Sequence, residues 1–412
     1  METTFAPVDD AGLEIRDFDP FGLEFRNNPV AYQQELIKDS PIFVKMEGVP
    51  SAIISSYTQN IAVLRNFKGF SSLKPKGLPG MERIDFFNGL PVMNYSDAPD
   101  HTRRRKVVNP AFTPKRTEML NENAQILVDR LLELLARKGE FDAFEEFSKP
   151  LSIDTLMCRF LGITAPEHQQ IFFDFVKSLP LLDKLRPGDP KPPEYLDAWA
   201  RGVVFCKEQQ ALAKEGKCSN LIGVIAESAE DGAIDDNEMM AMMIVLLIGG
   251  VSTVAGAAAA GLLYVAKNPE MAERIRQDPS LAAAEVEEAM RMDPPVSLVM
   301  RFATDDIQVG EKIIPKGMPV YVMISVACKD PAVFPDPYRF DIDRPNVKDH
   351  LAFGQGMHTC IGNAITRNIV PLVVRSVVKR FPNLRLADRP DAVEWDASTP
   401  RARHLKHLWL RV

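Results

Sequence analysis

From Met239 to Ala266 the chain runs 28 residues without a charged side chain. So long an apolar stretch leaves two options, a helix crossing a bilayer or a helix sunk in the core of a large globular body. The second fits better. Small residues crowd the middle, from Gly249 and Gly250 through Ser252, Thr253 and Gly256 to Gly261, and no aromatic or basic belt flanks the segment. Asp235, Asp236 and Glu238 put negative charge where the positive end of the helix dipole would lie. A large, mainly helical soluble body around one buried helix is expected.

The remaining chain is consistent with that. Hydrophobic residues make up 46% and charged residues 25%, ordinary for a soluble enzyme. At 412 residues the length would allow two or three domains, but no linker breaks it, so one domain over residues 1–412 is expected, with 1–40 as an N-terminal extension. A net charge of -7 argues against a nucleic-acid partner. Five cysteines without a Cys-x-x-Cys pair give neither a zinc site nor a disulfide framework, which suits a reducing cytoplasm. The acidic start, Met1 to Asp10, reads as neither signal peptide nor membrane anchor.

Local patterns predict a short helix at 31–38, a hairpin of strands 42–46 and 52–55, and a long loop over 68–95. A helix should start near Asp97 or Asp100, either of which could cap it. Amphipathic helices follow at 119–138, closed by Gly139, at 151–161 and at 166–178. Residues 179–193 are too rich in proline for a helix and form a candidate lid. A helix at 283–292, short β runs at 307–314 and 319–326, and a helix at 363–381 containing Pro371 complete the picture. The fold class is mainly α with a small β region.

One stretch could carry unusual chemistry. In Phe353-Gly-Gln-Gly-Met-His-Thr-Cys-Ile-Gly362, Gly354, Gly356 and Gly362 would let the backbone turn sharply around Cys360, with Phe353 covering one side. Such a thiolate could ligate a metal. Cys158, Cys206, Cys218 and Cys328 read as small buried hydrophobes.

The pattern Phe-x-x-Gly-x-x-x-Cys-x-Gly resembles the haem-thiolate loop of the cytochrome P450 family, and other segments follow in that family's order. Asp97-Ala-Pro-Asp-His101-Thr-Arg-Arg-Arg105 resembles the helix whose His and Arg hold one haem propionate; Arg301 and His358 fit the other propionate positions. Gly249-Gly-Val-Ser-Thr253 resembles the oxygen-binding kink, with Ser252 standing where an acid is usual beside Thr253. Glu288-Ala-Met-Arg291 and, downstream, Arg344 resemble the Glu-Arg-Arg latch.

The resemblance implies a soluble bacterial-type monooxygenase fold with haem b bound through Cys360. It implies insertion of one atom of O2 into a C–H or C=C bond of a small hydrophobic substrate, such as a terpenoid or aromatic. No flavin or dinucleotide fingerprint is present, so a small acidic ferredoxin with its reductase is the implied electron source, steered by Arg104, Arg105, Arg367, Arg375 and Lys379. Phe86, Phe87, Leu246, Val251, Val296, Val299 and Trp395 are candidate substrate contacts, and Lys74, Lys76 or Arg83 could anchor a carboxylate. Two other readings stay open: a peroxide-driven haem-thiolate oxygenase, and a non-catalytic haem-binding protein.

Overall fold

The structure, a computed structural model, describes residues 10–412 apart from 11, 21, 23, 26–27, 47, 74–91, 183–188, 218–220, 231–233 and 397–402. Phe86, Phe87, Lys74, Lys76, Arg83 and Cys218 therefore lie outside the described residues.

In chain order the main elements are β1 (Ile15–Arg16), α1 (Val30–Lys38), β2 (Ile42–Met46), β3 (Val49–Ile54), α2 (Tyr57–Arg65), β4 (Phe70–Ser71), α3 (Asp100–Val108), α4 (Pro114–Ala136) and β5 (Glu140–Asp142). A short α5 (Lys149–Ser152) is sandwiched between π-helical turns, Phe144–Ser148 and Ile153–Leu161. Then come α6 (Pro166–Leu182), α7 (Pro193–Lys214), α8 (Leu221–Glu230), α9 (Asp236–Lys267), α10 (Pro269–Gln277) and α11 (Ala282–Met292). β6 (Val299–Ala303), β7 (Ile307–Val309), β8 (Lys312–Ile314), β9 (Pro319–Val322), α12 (Ile324–Ala327), α13 (Asn363–Arg380), β10 (Arg385–Leu386), β11 (Val393–Asp396) and β12 (His404–Arg411) finish the chain.

These elements group into two compact units. One is built on Ser72–Arg116 and Ile153–Val251, the other on Val8–Ser71, Thr117–Ser152 and Ser252–Val412.

The first unit is helical. Phe175, Tyr195 and Trp199 stack between α6 and α7, with ring centroids 5.7–5.8 Å apart. At Gly250 of α9 an added Cβ would lie 3.1 Å from Leu156, so the π-helical segment Ile153–Leu161 reaches the α9 backbone because that residue is glycine.

The second unit holds the sheets. A six-stranded sheet has the order β1-β2-β3-β9-β6-β4, and a four-stranded one joins β10, β12 and β11, with β5 pairing β12. Ile54, Val320, Val322 and Leu351 are fully buried in the apolar cluster around the larger sheet. The rest of α9 packs by close contact as well. An added Cβ at Gly256 would meet His404 at 3.1 Å and Pro295 at 3.7 Å; one at Gly261 would meet Val374 of α13 at 3.0 Å and Glu285 of α11 at 3.2 Å.

Several expectations need correction. The helix after Ile163 does not stop before the proline-rich run but continues through Pro180 to Leu182. A proline in the last turn removes one backbone bond and crowds the carbonyl four residues back, but no further turn depends on it. The β run from Pro319 ends at Val322, and Ile324–Ala327 is a helical turn. Neither Asp97 nor Asp100 caps α3 with its side chain: Asp97 Oδ1 accepts from the Ser72 N–H at 2.8 Å, and Asp100 pairs with Arg103 inside the first turn.

The long apolar helix behaves as expected of a core element. α9 is long and apolar enough to cross a membrane, yet 61% of its most apolar window is buried within the protein, and among the described residues no other helix passes that test.

Candidate haem-thiolate site

In the second unit, Cys360 ends a loop whose shape is fixed by backbone chemistry. The Gly354 N–H donates to the Leu351 carbonyl at 2.7 Å, and the Cys360 N–H donates back to the Phe353 carbonyl at 2.8 Å. The Thr359 N–H and hydroxyl both reach the Gly356 carbonyl, at 3.1 and 2.7 Å. The Asn363 side-chain amide at the start of α13 donates to the Cys360 carbonyl at 2.6 Å. The thiol is exposed.

Two of the three expected glycines are required. Gly354 and Gly356 have φ of 66° and 73°, in the left-handed region that side chains resist. At Gly356 a Cβ would also stand 2.5 Å from the Leu64 carbonyl oxygen at the end of α2. Gly362 is different: its φ is -84°, and a Cβ there would lie an ordinary 3.9 Å from the Cys360 sulfur.

Behind the loop, Phe353 is held by side chains to which sequence reasoning gave no such role: Arg367 was expected to steer a partner, and His350 and Glu287 were not singled out. The Arg367 guanidinium lies over its ring at 4.6 Å, and the His350 ring centroid is 5.7 Å away. Both are set by Glu287 of α11, whose oxygens accept from Arg367 Nε at 2.6 Å and Nη2 at 3.1 Å. His350 Nδ1 accepts the Ala352 N–H at 3.1 Å, so its Nε2 carries the proton donated to Glu287 at 2.9 Å. Burial works to raise the Glu287 carboxyl, but the bonds from His350 and Arg367 outweigh it and hold its pKa at about 2. The sequence signal was Glu287 itself, an acid beside Glu288 on a helix otherwise rich in alanine.

Glu288, Arg291 and Arg344 come together as predicted. Arg291 forks onto Glu288 at 2.7 and 2.8 Å with both side chains fully buried, and Arg344 Nε lies 3.4 Å from the same carboxylate. The spare guanidinium donors are used: Arg291 reaches the carbonyls of Cys328 and Pro337, at 3.0 and 2.8 Å, and Arg344 that of Pro335, at 2.7 Å. Such a buried charge cluster is stable only when every donor is met.

Other candidates are placed as follows. Arg301 is on β6, 7% exposed, and donates to the Met300 carbonyl at 2.8 Å; His358 is half-buried in the cysteine loop. In the first unit His101 is buried on α3, and Arg105, one turn on, is half-buried. Along α9, Met239–Val245 and Val254–Leu263 are buried, whereas Gly249 and Ser252 are exposed and Leu246, Ile248, Gly250, Val251 and Thr253 are partly exposed. No atom lies within 4 Å of a Cβ added at Gly249. Over about two turns around its Ser-Thr pair the helix is therefore less buried than on either side, although Leu247 stays buried and Gly250 is packed by Leu156. Val296, Val299 and Trp395 are also partly exposed, and the Arg403 guanidinium lies 4.0 Å over the Trp395 ring.

Arg104 departs from expectation. Rather than adding to a basic surface it is 6% exposed and bonded to Glu238, so it is not available to steer a partner. Arg367 is similarly engaged with Glu287, while Arg375 and Lys379 are exposed.

Known proteins resemble the chain over nearly its whole length. The cytochrome P450 family model matches residues 202–401. The chain is 32% identical over 409 residues to cytochrome P450 monooxygenase PikC of Streptomyces venezuelae, covering 97% of this chain and 95% of that one. It is 29% identical to 6-deoxyerythronolide B hydroxylase of Saccharopolyspora erythraea, over 92% of this chain and 94% of that one. Its backbone matches the Bacillus subtilis 168 bacillaene polyketide synthase cytochrome P450 PksS with a TM-score of 0.84 at 24% identity, covering 96% and 99% of the two chains. With the cysteine loop and buried latch in place, these matches make the chain a member of the cytochrome P450 family of haem-thiolate monooxygenases.

Proposed function

We propose that the protein binds haem b through the Cys360 thiolate and hydroxylates or epoxidises a hydrophobic substrate. The observation that carries this reading is the exposed Cys360, pinned through its own N–H to the Phe353 carbonyl on a loop that only glycine at 354 and 356 permits. The residues present fit the cofactor. A thiol is presented rather than buried, α9 is uncovered where Gly249 leaves open space, and Arg301 is a largely buried cation suited to a propionate. His358, His101 and Arg105 are the further propionate candidates.

When bound, the haem supplies oxygen activation and oxygen-atom transfer, favoured by an electron-rich thiolate. The chain's own residues do the rest. The Glu287–Arg367–Phe353 stack holds the loop so that the sulfur keeps one position. Ser252 and Thr253 offer hydroxyls at the less buried part of α9, where they can relay a proton through water; Ser252, unlike a carboxylate, cannot supply one by titrating. Leu246, Val251, Val296, Val299 and Trp395 are the apolar candidates for substrate contact, with Phe86 and Phe87 as further candidates.

The substrate class is a hydrophobic molecule. Terpenoids and aromatics fit apolar contacts, and one relative is named as a hydroxylase of 6-deoxyerythronolide B. Electrons are supplied one at a time by a small acidic ferredoxin and its reductase, and the protein works in the cytoplasm.

The test is the absorption spectrum of dithionite-reduced protein with and without carbon monoxide, on the native chain and on Cys360→Ser. A strongly red-shifted Soret band in the native protein, absent from the variant, is the expected result. An unshifted band in the native protein would overturn thiolate ligation. Turnover with hydrogen peroxide alone, as brisk as with ferredoxin and reductase, would replace the electron-transfer reading with the peroxide-driven one.

A further inference from the structure

The run Arg103-Arg-Arg105 beside His101 looks, in sequence, like a solvated basic face. In the structure two of the three guanidinium groups turn onto a single carboxylate. Arg103 forks onto Glu238, with Nη1 2.7 Å from Oε2 and Nη2 on Oε1. Arg104 brings Nε to 2.9 Å and Nη2 to 2.8 Å of Oε1, and its Nη1 donates to the Ser96 hydroxyl. The Glu238 side chain is 7% exposed and that of Arg104 8%.

Glu238 also belongs to the first turn of α9. Its N–H donates to Asp235 Oδ1 at 2.8 Å, and its own Oε2 accepts the Asp235 N–H at 3.2 Å, a reciprocal capping box. One carboxylate therefore closes the end of the oxygen-side helix and grips the helix that carries His101 and Arg105. The bond from Arg103 outweighs burial and, with Arg104, holds the Glu238 pKa at about 2, so the group is ionised throughout the working range.

Helical geometry says what this grip controls. Positions 101, 104 and 105 of α3 lie within about 100° of one another around the axis, so fixing Arg104 fixes the roll of the face holding His101 and Arg105. At a side-chain radius of about 5–6 Å, a roll of about 10° would move a side-chain tip by about 1 Å. A shift of that size matters for a group meant to grip a ligand.

We propose that Glu238 is a positioning residue for the haem: acting through Arg103 and Arg104, it fixes the roll of α3 and so the propionate grip of His101 and Arg105. This rests on the haem-binding function proposed above. It departs from treating the arginine run as a partner-docking patch, because Arg103 and Arg104 are both held on Glu238 and Arg104 is buried there.

The experiment uses the haem-loaded protein and follows haem transfer to excess apomyoglobin. Glu238→Gln and Arg104→Met should each speed haem loss by at least about tenfold, the range seen when a residue supporting a ligand is removed. The red-shifted carbon-monoxide band should be retained. Combining Glu238→Gln with Arg105→Met should cost little more than Arg105→Met alone, since both act through one contact. Fully additive effects would reduce Glu238 to a general structural role, and an unchanged transfer rate in folded Glu238→Gln would overturn the proposal. If Glu238→Gln does not fold, Arg103→Met with Arg104→Met supplies the same comparison. Failure of the native protein to show the red-shifted band would instead sink the haem-thiolate reading, so the two failures are distinguishable.

Discussion

The Arg367 guanidinium sits 4.6 Å over the ring of Phe353, the residue whose carbonyl accepts the Cys360 N–H. A cation one turn into α13, beyond the proposed ligand loop, is thereby made part of its support, with Glu287 holding the cation in place.

Removing the acid should cost more than removing the cation. Glu287→Ala leaves Arg367 and His350 facing a buried space and is expected to destabilise the protein by about 3–5 kcal/mol, whereas Arg367→Met, on a partly exposed side chain, should cost about 1–2 kcal/mol. Urea unfolding of the two variants measures both. Equal losses would mean that Glu287 is not the anchor of the group.

The same carboxylate gives the protein an acid limit. Its folded pKa, about 2, lies below its ordinary 4.5, so its stabilisation is complete above 4.5 and is lost as pH falls through the folded value. Glu287→Gln should flatten the stability profile between about pH 4.5 and 2 relative to the native protein. A parallel profile would show that other acids set the limit.

Glu285, two residues earlier on α11, works in the opposite direction. It is fully buried against Gly261, neither carboxyl oxygen has a hydrogen-bond partner, and burial raises its pKa well above 4.5. An acid whose folded pKa is raised loses stabilisation as pH climbs past the unfolded value, because only the unfolded chain can then ionise it freely. Glu285→Met should therefore raise the denaturant midpoint at pH 8 more than at pH 4. A variant less stable at both would show that the carboxyl makes contacts of its own.

At Gly356 the prediction is steric. Gly356→Ala must place a Cβ 2.5 Å from the Leu64 carbonyl oxygen on a backbone at φ 73°, and should cost about 2–4 kcal/mol. Gly362→Ala, free of both problems, should cost less than about 1 kcal/mol. Thermal unfolding ranks them.

Ser252→Asp tests the proton route. If Ser252 anchors a relay, the carboxylate should raise the fraction of electrons recovered in product and change the solvent isotope effect. No change in either places position 252 off the route.

How much of this was readable beforehand depends on how local the cause is. The Cys360 loop and the body of α9 were legible because glycine conformations and apolar length act within a short window, whereas the Glu288–Arg291 pair came from family resemblance, its i,i+3 spacing being common on any helix. Arg344 was found by family resemblance, and its seat on Glu288 is a contact across 56 residues. Arg104 was misread, since whether an arginine faces water or a buried acid 134 residues away leaves no trace in its neighbours. Glu287 and His350 were missed for the same reason. The helical continuation through Pro180 went unseen because proline was given more authority near a helix end than its effect on a last turn warrants.

The glycines of α9 index the molecule. Gly250 takes Leu156, Gly256 takes Pro295 and His404, and Gly261 takes Glu285 and Val374, each notch matched to its own neighbours. Inserting a single residue between Gly250 and Gly261 would turn everything beyond it by about 100° and carry a side chain into each later notch. Changes of length within this helix are therefore closed to it, and so are side chains at its three notches: its spacing is fixed by what it lacks.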